Sequence, residues 1–231
     1  MPIPRADIED VVQKGIAQDI FIMEQAFALL RKIRERGNDI DNNKRRGHFS
    51  ELFRIFHDAL KTQCILAAAR VYDTPHPKHP TRCLDGLLEY LVNNNDDLPS
   101  IREPYQLKLS LQSMRAPTAL LGIIDNEPKK FAPAFAAHVK SLLQLRKDTL
   151  DKLRAVRNKA FAHNEQVSGI CGPTWESLQD LINIAKNVVG VMGWAYFSTA
   201  YVISGEYILT GDARRPAHAL DDLLNILYNQ D

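Results

Sequence analysis

Cysteine is scarce in this 231-residue chain, and the three that occur, Cys64, Cys83 and Cys171, are odd in number and scattered. That excludes a disulfide framework, and with a charged start that lacks a signal peptide it predicts a protein of the reducing cytoplasm. Charge of one sign is missing too. Against 28 Asp and Glu stand 29 Lys and Arg, and a net charge of +1 gives no global attraction to nucleic acid or to a membrane. Any basic surface must therefore be local. No internal repeat, low-complexity tract, Walker-type phosphate loop or nucleophile elbow occurs, and no stretch alternates apolar and polar residues as a strand would. Long hydrophobic runs are absent apart from the 19 uncharged residues 187–205. Gly190, Gly193, Ser198, Thr199 and Ser204 dilute that stretch, so it reads as a buried central helix or a dimer surface and not as a membrane span.

What is present is helical periodicity on a composition, 45% hydrophobic and 25% charged, ordinary for one folded domain over 1–231. Ile16, Ile20, Met23, Phe27 and Leu30 predict a helix over 6–36 that ends in a cluster of cations, with Gly37 as its stop. A loop follows, carrying Lys44 to Arg46. Phe53, Phe56, Leu60, Cys64, Ala67 and Val71 predict a second helix over 49–72, ending at Arg70, Tyr72 and Asp73. The prolines of 74–80 break it. His76 and His79 in that loop lack further ligands, so no metal site is expected. Residues 74–130 read as a loop-rich excursion with short helices around Leu84, Leu87, Leu88 and Leu91 and around Leu107, Leu111 and Met114. One long helix is then predicted from Phe131 to His163, through Phe135, Val139, Leu142, Leu145, Leu153 and Val156. Thr174 can cap the uncharged helix, where Gly190 and Gly193 would admit another helix. A turn over 210–216 leads to a last short helix with Leu220, Leu223, Leu224 and Leu227 on its apolar side.

The chemistry concentrates in 153–164, Leu-Arg-Ala-Val-Arg-Asn-Lys-Ala-Phe-Ala-His-Asn. Leu153, Val156 and Ala160 recur at helical spacing, and His163 falls on the same seam, where a hydrophobe would be expected. The residues alone leave two readings open: a core histidine satisfied by a hydrogen bond, or a catalytic or nucleotide-contacting pair. In the second, Arg157 is the permanent cation and His163 the group that exchanges a proton near neutral pH. Six cations lie nearby, Arg146, Lys147, Lys152, Arg154, Arg157 and Lys159, against only Asp148 and Asp151. This makes Lys152, Arg154 and Lys159 the best candidates for contact with an RNA backbone.

Arg157-Asn158, a short spacer and Ala162-His163 late in an all-helical chain resemble the signature of the HEPN superfamily. The Leu-Arg-Ala-Val-Arg-Asn-Lys spelling and Ala-Ala-Arg-Val-Tyr-Asp at 68–73 are most similar to its abortive-infection, AbiU-like branch. The resemblance implies an all-α bundle of long antiparallel helices with extra short helices in the middle region. It also implies an endoribonuclease that needs no metal or other cofactor, acting in phage defence or as a toxin, with Arg157, Asn158 and His163 as catalytic residues. Arg70 and Asp73 would support the motif from the end of the second helix, and an antitoxin protein is a possible partner. One histidine cannot readily serve both sides of an in-line displacement, so a homodimer with two motifs across one cleft is expected. A non-catalytic helical module that dimerises and binds a nucleotide, RNA or a partner protein is the alternative. Some toxin relatives carry Tyr two residues after the His; this chain has Glu165, which removes any regulation through a modified tyrosine there.

Overall fold

A computed structural model describes residues 5–42, 49–76, 81–162, 171–203 and 206–228. The first apolar stripe folds as α1 (Arg5–Asp10), a π-helical stretch (Val11–Ile16) and α2 (Ala17–Glu35). Ile16, Ile20, Met23 and Leu30 are buried along it, as their spacing requires. Gly37 does not open a loop. It starts the short α3 (Gly37–Asn42), because buried Ile40 joins Ile33, Phe53 and Leu224 in a small satellite core and Arg36 grips Asp39 at 2.5 Å.

The second stripe folds as α4 (Ser50–Val71), which packs on α2 more extensively than any other pair of elements does. Phe53, Cys64, Ala67, Ala68 and Val71 are buried, and the Cys64 thiol is pushed up to about 12 by that burial. Phe56 departs from expectation: it is 47% exposed, beside exposed Leu52 and Ile55.

Residues 81–130 are more helical than expected, with α5 (Leu84–Asn93), α6 (Pro104–Ser113) and α7 (Thr118–Asn126). Leu84, Leu87, Leu88, Leu91, Leu107 and Leu111 belong to the same buried cluster as α2 and α4. The predicted single helix from Phe131 is two, α8 (Phe131–Gln144) and α9 (Lys147–Val156), broken where Leu145 turns 73% exposed to solvent. The break redirects the chain: α8 packs on α5 while α9 packs on α4, so each half buries its apolar face against a different partner.

Thr174 caps α10 (Trp175–Met192) as predicted, its hydroxyl accepting from the Ser177 amide at 3.2 Å. The helix passes through a π-helical turn (Gly193–Phe197) and stops at Ser198, whose φ of 52° is left-handed. A two-residue antiparallel hairpin then follows, β1 (Val202–Ile203) with β2 (Glu206–Tyr207), too short to show alternation in the sequence. Gly190 and Gly193 admit this hairpin arm and not another helix. A Cβ on Gly190 would meet Val202 Cγ2 at 2.7 Å, and one on Gly193 would run into the backbone oxygen of Thr199. Because that obstacle is main chain, Gly193→Ala is expected to lower stability by about 3 kcal/mol in a denaturant titration. An effect under about 0.5 kcal/mol would mean the arm simply moves aside.

The last element, α11 (Leu209–Tyr228), runs through Pro216 instead of turning there, burying Ala213, Ala217 and Leu224. It lies on α2, and Arg36 reaches across to Asp221 and Asn225, both at 2.8 Å. The architecture is an all-α bundle around α2, α4 and α10. Among the described residues no helix is long and apolar enough to cross a membrane.

Candidate functional site

The end of α4 is fixed from below. Tyr72 is buried and its hydroxyl donates to the Leu181 carbonyl of α10 at 2.5 Å; burial also pushes its pKa up, so it remains a donor. This anchors Asp73, which leaves the helix half-buried. Both its carboxylate oxygens are used: Oδ1 accepts from the Thr74 amide at 3.0 Å and Oδ2 from Arg157 Nη1 at 2.8 Å.

Arg157 arrives from the other side. Where α9 ends the helix widens into a π-helical stretch, Arg157–Ala162, a distortion that often marks a functional position. Both α9 and this stretch pack on α4. Within it, Arg157 Nε donates to Asn158 Oδ1 at 2.9 Å, so the guanidinium is held on two edges, one by an amide and one by a carboxylate. Such a charge-assisted contact fixes the orientation of the fork as well as its position. The Arg157–Asp73 pair spans 84 residues of sequence and unites two segments that sequence reading could only suspect of being neighbours. His163 follows directly on the π-helical stretch and lies outside the described residues, as do Asn164, Glu165, His79 and Lys44 to Arg46.

The other candidates divide. Arg70 does not pair with Asp73. It clamps Asp19 of α2 with two guanidinium nitrogens, Nε at 2.9 Å and Nη2 at 2.5 Å. Asp19 is 8% exposed and was missed in the sequence, although it lies three residues after Ile16 and four before Met23, a carboxylate on an otherwise apolar seam. Lys152 pairs with Asp148 at 2.7 Å and Arg154 with Asp151 at 3.5 Å, so the two acids of the basic stretch are both engaged. Lys159 is exposed and makes no hydrogen bond or ion pair among the described residues. No group of three His, Cys, Asp or Glu among those residues is placed to hold a metal ion.

A helical bundle that braces an Arg-Asn pair against a helix-end aspartate, with a histidine just beyond, has the build of a HEPN-type domain. The family model described as AbiU2, of the HEPN class, matches residues 9–215, and the chain belongs to that family, an abortive-infection module of the HEPN type. No curated protein and no solved structure matches it.

Proposed function

We propose that the chain is a metal-independent endoribonuclease acting in phage defence or as a toxin, with its active site shared between the two copies of a homodimer. The observation that carries this reading is the Arg157 guanidinium held by Asp73 and Asn158 at the start of a π-helical stretch leading into His163. In RNA transesterification a base removes the ribose 2′-hydroxyl proton, an acid protonates the leaving 5′-oxygen, and a fixed cation meets the negative charge that builds on the phosphoryl oxygens. His163 supplies the exchangeable proton and Arg157 the cation. Lys159, Lys152 and Arg154 contact the backbone, and Arg70 with Asp19 keeps the end of α4 in register. The alternative, a non-catalytic module that binds RNA, a nucleotide or a partner protein, draws on the same pair, because Asp73 already neutralises part of the guanidinium. Incubation with single-stranded RNA and a chelator separates the two. Products with cyclic phosphate ends support the enzyme, and binding without cleavage supports the module.

The homodimer reading rests on α4. Leu52, Phe56, Ala59, Gln63, Leu66 and Arg70 recur at alternating steps of four and three, the spacing of a helix that pairs with another. Leu52, Ile55 and Phe56 on this face are 42%, 52% and 47% exposed. The stripe runs to the Arg70 end of the helix, beside Asp73. Two copies packed in parallel along it bring both Asp73–Arg157 pairs to the same end of the seam. Ile55→Glu is therefore expected to halve the mass seen by sedimentation and to abolish cleavage with it. A variant that keeps the native mass, or a native protein that is monomeric, removes α4 as the seam.

A further inference from the structure

A recess lies toward the start of α4, away from Arg157. Between α2, α4 and the start of α10 is a cavity of 390 Å³, walled by Phe27, Leu30, Ile33 and Trp175. His57 stands at its edge and precedes Arg70 by 13 residues, about 20 Å along a helix, so this cavity is separate from the Asp73–Arg157 pair.

The walls and the rim differ in chemistry. Phe27 and Trp175 meet edge to face, with ring centroids 5.5 Å apart and planes at 79°, which makes a corner that a flat ring can fill. Arg31 and Arg34 stand at the rim. Arg31 has only an exposed contact with Glu35 at 3.4 Å, and Arg34 makes no hydrogen bond or ion pair among the described residues. The one carboxylate in the lining, Glu176, is turned onto its own helix start: its own backbone amide and Thr174 hold it below the usual carboxylate range, with the Arg34 charge adding to the effect. Apolar walls of this size, with a guanidinium at the mouth that makes no hydrogen bond among the described residues, match a small ligand that is flat and apolar at one end and negative at the other.

We infer that this cavity is a binding site for a small aromatic anion, a ring system of about two fused rings carrying a carboxylate, sulfonate or phosphate. The ring lies in the corner formed by Phe27 and Trp175, and the anionic group sits on Arg34, which can offer it two parallel N–H donors. Bound there, the ligand ties α2 to α10.

Calorimetric titration of the full chain with 2-naphthoate tests this, with 2-naphthalenemethanol as the neutral counterpart. The expected result is saturable binding at one site per chain, weakened about tenfold or more for the alcohol, for Arg34→Ala and for Trp175→Ala. Arg34 is exposed, so its variant should fold normally, and a thermal melt of that variant confirms it. Arg157→Ala should bind as the native chain does. Absence of saturable binding at millimolar naphthoate, equal affinity for acid and alcohol, an unaltered affinity in Arg34→Ala, or loss of binding in Arg157→Ala alone would each overturn the inference.

Discussion

Cleavage of single-stranded RNA is expected to fall by about 10³-fold in His163→Ala and by at least about 10²-fold in Arg157→Ala, with chelator present throughout. The two losses have different origins. Removing the imidazole takes away proton transfer, whereas removing the guanidinium takes away a cation that needs no reorganisation when charge builds on the phosphate. Arg157→Lys should recover little, since a lysine keeps the charge but cannot hold Asp73 and Asn158 on two edges as the planar fork does. Asp73→Ala should retain more activity than either, about a tenth of native, because Asn158 still orients one edge of the guanidinium. Initial rates on a labelled RNA, compared at equal folded protein, give the answer. If His163→Ala cleaves as fast as the native chain, the enzymatic reading is finished and the binding module takes its place.

The largest stability effect is expected from Glu24→Ala, a loss of about 3 to 5 kcal/mol in a denaturant titration. Glu24 is 9% exposed at its side chain and Lys186 17%, and their ion pair measures 2.6 Å. Thr210 donates its hydroxyl to the other Glu24 oxygen, and the Lys186 ammonium lies 5.3 Å from the centre of the Tyr207 ring. Three helices, α2, α10 and α11, therefore meet on one carboxylate. Deleting it strands a part-buried ammonium with only a hydroxyl and a ring face for company, which costs more than the pair itself contributes. The double variant Glu24→Ala with Lys186→Met should regain most of the loss, because no charge is then left unmatched. A single-variant loss below about 1 kcal/mol would show that water reaches Lys186 freely.

Much of this was legible in the residues. Stripes at helical spacing placed α2 and α4, and Thr174 announced the start of α10, because a repeating apolar face and a capping hydroxyl are local signals. The Arg157-Asn158 pair and the helix-end Asp73 were also visible as candidates. What the sequence concealed was pairing at a distance. Arg70 and Asp73 sit three residues apart at one helix end, yet Arg70 turns to Asp19 and Asp73 to Arg157, choices made by the crossing of α2, α4 and α9. The break at Leu145 was hidden for the same reason, since the apolar spacing continues across it and only the change of partner from α5 to α4 demands a bend. Gly and Pro misled in α11, where Pro216 sits inside a helix that α2 holds in place. The bundle could thus be anticipated in outline, and the wiring of its charges could not.

The hairpin after α10 also fills a groove within its own chain. Small residues spaced along a helix ordinarily invite a neighbouring subunit to nestle there, but at Gly190 and Gly193 that vacancy is already taken by Val202 and Thr199 of the same chain. The molecule has plugged its own most accommodating groove. This groove therefore offers no foothold to a second subunit, and a bulky substitution at either glycine should disturb how the single chain folds.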